Sequence, residues 1–206
     1  MKILMTGFEP FGGETINPSW EAVRRVKAPG GAELARACLP VTFHEVPSLL
    51  EALIERERPD AVICVGQAGG RDGISLERIA VNLMDGRIPD NSGFQPKDEP
   101  LQPGGPAAYF SSLPLRRLEA ALKEAEIPVH ISNTAGLYVC NCAFYTAAAL
   151  AAKMHSGMRA GFIHVPFLPE QTADAGTPSL CLEEDIRALE TVCRELVDEQ
   201  EETVSK

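Results

Sequence analysis

The segments SNTAGLYVCN at residues 132–141 and GFIHVPF at residues 161–167 define the centre of the predicted fold. An apolar, strand-like run leads to Cys140, and the alanine-rich residues 143–153 that follow predict a helix. The apolar residues 160–165 then predict another strand. A strand, a helix and a strand in this order are typical of a parallel sheet covered by helices.

Cys140 and His164 are the first candidates for chemistry. A cysteine at a strand-to-helix junction meets unpaired backbone N–H groups and the helix dipole, which lower the pKa of a thiol. His164 lies at the end of the following strand, and active residues in open α/β sheets lie at the carboxyl ends of strands. A thiol that can ionise and a nearby imidazole predict cysteine hydrolase chemistry. The non-catalytic alternatives are that Cys140 is a small buried thiol and that His164 is a structural histidine.

The remainder of the chain continues the alternation of strands and helices. Predicted strands cover residues 2–6, 34–39, 61–65, 74–83 and 129–132. Predicted helices cover residues 46–57, 115–126 and 182–202, and a further helix is predicted to start at Asn17-Pro18. This pattern predicts an α/β fold: a single-domain sandwich over residues 1–206, with a central, mostly parallel twisted sheet covered by helices on both faces.

Residues 84–114 interrupt the alternation. They include six prolines, at positions 89, 96, 100, 103, 106 and 114. We expect a long loop without regular structure, and such a loop is usually functional, for example as a lid or an assembly arm.

Composition excludes several classes of protein. The chain has 206 residues, of which 45% are hydrophobic, and a formal net charge of −10. A chain of this length can bury a sizeable core. The negative charge argues against a nucleic-acid partner, which needs a surplus of Lys and Arg, and against adhesion to anionic membranes.

The N-terminus and the cysteines predict the compartment. The apolar run in MKILMTGFEPF is too short for a signal peptide or a membrane span. Six cysteines, at positions 38, 64, 140, 142, 181 and 193, lie scattered through apolar segments. We expect reduced thiols in the cytoplasm rather than a disulfide framework, and slow alkylation of the thiols at 38, 64, 181 and 193.

Glu77 is a candidate acidic partner. It lies in the apolar segment SLERIAV, and an unpaired buried carboxylate is costly, so a histidine is a plausible partner.

Two other patterns are weaker. Cys140-x-Cys142 with His164 lacks a fourth metal ligand, so we expect no metal. The glycine-rich segments 7–13 and 66–70 lack a complete phosphate-binding motif.

Five ordered blocks of the sequence resemble the pyroglutamyl peptidase I family of cysteine peptidases. The blocks are TGFEPFGGETINPSWEAV, VGQAGGRDGISLERIAVN, RIPDN, SNTAGLYVCN and GFIHVPF, and the resemblance covers roughly residues 1–195. It implies a cofactor-free exopeptidase that removes an N-terminal pyroglutamyl residue from peptides. The catalytic residues that it implies are Cys140 as nucleophile, His164 as base and Glu77 as the group that orients the imidazole.

The resemblance also implies a substrate pocket. Arg87 would lend positive charge near the reacting carbonyl, and the backbone of Gln67 would bind the lactam. The pocket residues implied are Phe8, Phe11, Gln67, Ile88, Tyr138 and Val139. Tyr138 departs from the phenylalanine common in the family, and its hydroxyl needs a partner. Without the resemblance, Phe8 and Phe11 are typical of simple core packing.

The remaining expectations concern partners and alternatives. The resemblance implies a homo-oligomer, often a tetramer. The alternative activity is a cysteine-dependent amidase or a related small-molecule hydrolase of different specificity, and a non-catalytic binding protein is a further alternative. Hydrolysis of a pyroglutamyl amide that disappears on thiol alkylation separates these classes.

Overall fold

The computed structural model describes residues 1–154, 157–172 and 176–204. The strands are β1 Lys2–Phe8, β2 Glu33–Leu39, β3 Ala61–Gln67, β4 Ile74–Glu77, β5 Ile79–Val81, β6 Ala108–Phe110, β7 Val129–Ser132 and β8 Arg159–Val165. The helices are α1 Pro18–Val23, α2 Val46–Glu57, α3 Leu115–Glu124, α4 Val139–Lys153 and α5 Leu182–Val204, with a 3-10 turn at Pro169–Gln171.

Six of these strands form one sheet in the order β2-β1-β3-β8-β4-β7. Strands β2, β1, β3 and β8 run parallel to one another. Strand β4 pairs antiparallel with β8 and parallel with β7, so the last two strands run in the opposite direction. The predicted α/β fold with a mostly parallel sheet is therefore confirmed.

Helices cover both faces of the sheet, as predicted. Consecutive residues of a strand point to opposite faces, so Leu4 joins Phe144 in the core under α2 and α4. Met5 joins Leu189 in the second core, under α1, α3 and α5. No helix in the described part of the chain combines the length and apolarity that a membrane span requires.

Helix α1 begins where the sequence predicts. The Asn17 side chain accepts a hydrogen bond from the Ser19 backbone N–H at 3.1 Å, and Pro18 occupies the first helical position. The Ser19 hydroxyl accepts from the backbone N–H of Phe8 at 3.0 Å and so joins the helix start to the end of β1. A β-carbon on Gly7 would lie 2.7 Å from the Trp20 α-carbon, so only glycine permits this close approach.

The single strand predicted over residues 74–83 is wrong, because the chain forms two strands there. Strand β4 ends at Glu77 between β8 and β7, and the Arg78 backbone N–H still donates to Ser132. The next residues leave the sheet, and β5 pairs antiparallel with β6 in a separate two-stranded sheet. The apolar pattern is continuous across the break because both pieces are packed against the core.

The expectation of a loop without regular structure over residues 84–114 is also wrong. Strand β6 lies within it, and Met84 pairs with Glu99 in an isolated bridge. The buried Asp90 carboxylate accepts backbone hydrogen bonds from Phe43, Ser92 and Phe94, which hold the turn against the loop between β2 and α2. Polar side chains that bind the backbone replace the regular ladder that prolines prevent.

Candidate active site

Helix α4 carries Cys140 in its first turn. The helix begins at Val139 rather than at residue 143, and the preceding residues from 133 to 138 form a turn instead of a strand. Tyr138 is the residue before the helix, and its side chain makes no capping hydrogen bond. The first backbone N–H groups of the helix therefore lack a side-chain cap beside the Cys140 thiol.

Asn141 holds the start of this helix in place. Its amide group donates to the backbone carbonyls of Val81 at 2.8 Å and Leu83 at 3.0 Å. Its side-chain oxygen accepts from the Val81 backbone N–H at 2.9 Å. These three bonds join α4 to β5, although the sequence pattern did not single out Asn141.

His164 and Glu77 meet across the neighbouring strands β8 and β4. The His164 Nδ1 atom lies 2.8 Å from Glu77 Oε1, and both side chains are buried, with 4% and 0% exposed. The expectation that a histidine is the partner of Glu77 agrees with this geometry. Because Nδ1 is held by the carboxylate, Nε2 is the ring nitrogen available for chemistry.

Arg71 is a second partner of the same carboxylate. Its Nη1 atom lies 2.6 Å from Glu77 Oε1, and its Nη2 atom donates to the Thr134 backbone carbonyl at 3.3 Å. Neither the sequence pattern nor the family resemblance singled out Arg71. The signal available there was the cost of burying Glu77, because an arginine six residues earlier is a candidate cation.

The charges of the pair follow from these contacts. Burial acts to raise the pKa of Glu77, but the His164 hydrogen bond and the Arg71 charge outweigh it, so the pKa lies below its ordinary value. Burial lowers the pKa of His164, and Arg71 adds to this effect, while Glu77 opposes it. The resting pair is therefore an ionised carboxylate and a neutral imidazole.

The expected lowering of the Cys140 pKa is wrong. Burial, together with the smaller effect of the Glu77 charge, raises the pKa of the thiol to about 12. The helix start offers favourable N–H groups, but loss of water around the sulfur has the larger effect. Cys140 is therefore a neutral thiol at rest, and it needs a base to become a nucleophile.

The two candidate catalytic groups line one open cleft of about 660 Å³. Cys140 and His164 share this cleft with Arg71, Ile88 and Phe167. The cleft lies at the edge of the sheet where β3 and β8 end, because Gly66 and His164 are paired in register. This is the edge at which the sequence analysis expected active residues.

A narrow pocket leads from Cys140 into the molecule. Its lining contains five of the six predicted pocket residues, namely Phe8, Phe11, Gln67, Tyr138 and Val139, together with Asn17 and Val41. The sixth, Ile88, lines the outer cleft instead. The walls are mostly apolar, so they favour an uncharged group over an ammonium group.

The polar groups of this pocket have defined partners. The Tyr138 hydroxyl donates to the Pro89 carbonyl at 2.9 Å, which supplies the partner that this side chain needs. Its ring packs edge-on against Phe43 at 5.3 Å. The Gln67 side-chain oxygen accepts from Gln171 at 3.1 Å, so the 3-10 turn supports this wall.

Arg87 lines the outer cleft with an exposed side chain. Its guanidinium forms no ion pair with any residue that the structure describes. Its backbone carbonyl accepts from the Gln95 side chain at 3.2 Å, which holds the surrounding turn.

The weaker patterns acquire structural explanations. Cys142 is buried, and its sulfur contacts the Phe43 carbonyl at 3.7 Å. Across the described ranges, His, Cys, Asp and Glu side chains form no group of three that could hold a metal ion. In the second glycine-rich segment, a β-carbon on Gly69 would lie 2.1 Å from the Phe167 ring, so that glycine serves packing.

Comparison with known proteins gives one consistent result. The family model described as Pyroglutamyl peptidase matches residues 1–199. A pyrrolidone-carboxylate peptidase of Thermococcus onnurineus is 53% identical over 94% of this chain and 98% of its own length. One from Levilactobacillus brevis is 50% identical over 96% of this chain and 98% of its own.

Solved structures agree with the sequence comparison. The crystal structure of pyroglutamyl peptidase I from Bacillus amyloliquefaciens superimposes with a TM-score of 0.92 at 44% identity, covering 96% of this chain and 97% of that one. Sequence identity at this level over nearly the whole length shows membership of the same family and not only a shared fold. The chain belongs to the pyroglutamyl peptidase family.

Proposed function

We propose that this protein hydrolyses the amide bond after an N-terminal pyroglutamyl residue, with Cys140 as the nucleophile, His164 as the base and Glu77 as its orienting acid. One observation carries the proposal: in a chain of this family, Cys140 and a histidine held by a buried carboxylate line the same cleft. A neutral imidazole and a neutral thiol in one cleft are a base–nucleophile pair that can act without a cofactor.

The first step forms a thioester. His164 Nε2 takes the proton of the Cys140 thiol as sulfur attacks the carbonyl carbon of the pyroglutamyl residue. The carbonyl electron pair moves to oxygen and gives a tetrahedral oxyanion. When this collapses, the carbon–nitrogen bond breaks and His164 returns the proton to the departing amine.

The second step restores the enzyme. Water attacks the thioester carbonyl while His164 accepts one of its protons, and the carbon–sulfur bond then breaks. The sulfur leaves as thiolate and regains the proton from His164. The products are free pyroglutamate and a peptide shortened by one residue.

Glu77 and the helix start stabilise the charges that develop. The ionised Glu77 carboxylate holds Nδ1 and stabilises the imidazolium that forms during attack. Backbone N–H groups in the first turn of α4 lack a side-chain cap and are candidates to donate to the oxyanion. The exposed Arg87 guanidinium on the cleft wall is a further source of positive charge.

The narrow pocket explains the proposed preference for pyroglutamate. This residue is a flat, uncharged lactam, whereas an ordinary N-terminus carries an ammonium group. Phe8 and Phe11 offer that ammonium group no compensating partner, so its desolvation is strongly unfavourable. Gln67 lines the pocket, and its backbone is our candidate for the lactam hydrogen bond.

The working environment of the protein is also a proposal. We infer a cytoplasmic enzyme, because all six cysteines are free thiols. We also infer a homo-oligomer, which the family resemblance suggests is a tetramer. Light scattering after size exclusion measures the mass directly, and a monomer of 22.2 kDa across micromolar concentrations would contradict this assembly.

Hydrolysis of pyroglutamyl p-nitroanilide tests the central proposal. The wild-type protein should release nitroaniline, and Cys140→Ala should abolish the reaction while leaving the thermal unfolding temperature nearly unchanged. Cys142→Ala is the matched control, because its thiol lies two residues away, outside the cleft, and contacts Phe43 instead. Retained turnover in Cys140→Ala, or no turnover in the wild type, would contradict the proposal.

A further inference from the structure

Arg71 is a cation in the lining of the cleft that the steps above do not use. It comes from the loop between β3 and β4, and 23% of its side chain is exposed. Two of its three guanidinium nitrogens contact two different parts of the site, the Glu77 carboxylate and the Thr134 carbonyl. A planar guanidinium with a rigid set of donors suits such a double contact.

The buried carboxylate of Glu77 needs a positive partner. A lone ionised carboxylate that is 0% exposed would be very costly, so a cation must lie beside it. The structure offers two candidates on the same oxygen, Arg71 at 2.6 Å and a protonated His164 at 2.8 Å. Arginine remains charged at every pH of interest, whereas histidine does not.

Other charged groups do not take over this role. Charged and titratable groups lie around His164 on three sides, with Glu77 on β4, Arg71 on the β3–β4 loop and Cys140 on α4. The neighbouring hydroxyl on β7 belongs to Ser132 and is neutral. The remaining charged residues of the cleft lining are Glu14, Asp85 and Arg87. Asp85 is paired with Lys97 at 3.2 Å.

We infer that Arg71 is the counter-ion of Glu77 and thereby keeps His164 uncharged, so that the imidazole can accept the Cys140 proton. This inference rests on the proposed function, because it concerns the base of that reaction. Arg71 is a positioning residue, since it acts on the reaction through Glu77 and His164. With Arg71 positive, Glu77 negative and His164 neutral, the three groups together carry no net charge.

The direction of the His164 pKa agrees with this arrangement. Burial has the largest effect and lowers the pKa of His164. Glu77 opposes this lowering, whereas the Arg71 charge adds to it. Removal of the Arg71 charge should therefore make His164 easier to protonate. A protonated His164 cannot take the thiol proton, so activity should fail at a higher pH than in the wild type.

The Thr134 contact gives Arg71 a second positioning effect. Thr134 lies in the turn that leads into α4, and its carbonyl accepts from Nη2. The same guanidinium thus fixes Glu77 relative to the turn that precedes Cys140. Loss of this bond should lower the rate at every pH, whereas loss of the charge should move the pH profile.

The pH dependence of kcat/KM in charge variants separates these two effects. Arg71→Gln removes the charge and keeps a donor, and it should move the acidic limb upward by roughly one pH unit. Arg71→Lys keeps the charge and should leave the limb near its wild-type position, even if its rate is lower. Arg78→Gln is the matched control, because Arg78 binds Asn133 in the same turn but does not contact Glu77.

An NMR titration gives a readout that does not require turnover. In a Cys140→Ala background, the His164 ring signal is identified by its absence from the Cys140→Ala, His164→Gln protein. Arg71→Gln should raise the titration midpoint of that signal, and Arg71→Lys should not. The NMR titration measures the protonation of His164 even if the enzyme acts on another substrate. Failure of the proposed function is therefore distinguishable from failure of this inference.

Each outcome decides the inference. An acidic limb and an NMR midpoint that stay in place in a folded Arg71→Gln protein would overturn it, whatever happens to the rate. Arg71→Met, with a side chain of similar length, is the second neutral variant if the glutamine variant does not fold. Failure of both neutral variants to fold, while Arg71→Lys folds, would support the counter-ion role, because the buried Glu77 carboxylate would then require a cation. Failure of Arg71→Lys to fold as well would make Arg71 a structural residue and would overturn the inference.

Discussion

Gly66 lies so close to Cys140 that a β-carbon at position 66 would come within 2.8 Å of the Cys140 sulfur. The same β-carbon would lie 2.7 Å from the edge of the Phe162 ring. Gly66 is paired in register with His164 across β3 and β8. The absence of a side chain at this one position therefore leaves the space in which the thiol lies beside the histidine-bearing strand.

Replacement of Gly66 by alanine should displace the sulfur. We expect Gly66→Ala to lower kcat/KM by roughly 10- to 100-fold, because small misplacements of a reacting atom are costly. Overpacking against Phe162 should also destabilise the protein by about 1–3 kcal/mol. Gly30→Ala is the control, because a β-carbon there meets no atom within 4 Å. Wild-type kinetics in Gly66→Ala would show that the Cys140 sulfur can move without loss of activity, which would contradict this prediction.

The other two members of the proposed triad should show graded effects. His164→Ala removes the base and should lower kcat by roughly 10²- to 10⁴-fold. Glu77→Gln should be less severe, because an amide can still hold the imidazole but cannot offset its positive charge. Steady-state kinetics at one pH, with circular dichroism as a check on folding, measure the order. A larger loss in Glu77→Gln than in His164→Ala would contradict these roles.

Substrate selectivity should follow the neutrality of the pocket. Prolyl amides have a ring of the same size but carry a protonated amine and lack the lactam carbonyl. The charge would lie beside Phe8 and Phe11, and the Gln67 backbone donor would remain unpaired, each costing about 1–3 kcal/mol or more. Pyroglutamyl amides should therefore exceed prolyl amides in kcat/KM by several powers of ten. Values within tenfold, with the same leaving group, would refute this description of the pocket.

Alkylation should distinguish an activated thiol from an exposed one. Cys38 lies on the surface, whereas Cys140 is only partly exposed. We still expect Cys38 to react slowly, because partial burial and the nearby Glu9 and Glu21 charges raise the pKa of its thiol to about 11. Cys38 should react with iodoacetamide at a rate independent of His164. Labelling of Cys140 should slow in His164→Ala, because burial raises the pKa of its thiol to about 12 and a base must take the proton. Mass-spectrometric mapping at matched times measures both sites, and equal labelling of Cys140 in the two proteins would argue against activation by His164.

Asp185 should make stability depend on pH. It is 0% exposed in the first turn of α5, and neither carboxylate oxygen bonds to a described residue. Burial, with the neighbouring Glu184, raises its pKa from 3.8 to about 8. The folded state then holds a proton that the unfolded state has lost. Stability should therefore fall as pH rises from about 4 to about 8, with the full penalty above that range.

Asp185→Asn should remove most of this dependence. Between pH 6 and pH 9 the wild type should lose roughly 2–3 kcal/mol more unfolding free energy than the variant. Urea unfolding at the two pH values measures it. Glu183→Gln is the control, because Glu183 lies in the same turn but is exposed. An identical pH dependence in Asp185→Asn and the wild type would mean that Asp185 is ionised in the folded state.

Short-range patterns were sufficient to predict most elements of the fold. The alternation of apolar runs and helical faces, with the Asn17-Pro18 cap, located the main strands and helices. The same patterns indicated Cys140, His164 and Glu77 as candidate site residues. These signals are local, because a cap, a helical face or a strand run depends on residues only a few positions apart.

Long-range contacts decided the rest. The sequence did not indicate that β4 runs antiparallel to β8, that the chain leaves the sheet after Glu77, or that Arg71 reaches Glu77 across a turn. The pKa of Cys140 shows the physical reason most clearly. A helix start is a local feature and favours the thiolate, but burial depends on every element that covers the sulfur, and that covering is set only when the whole chain has folded.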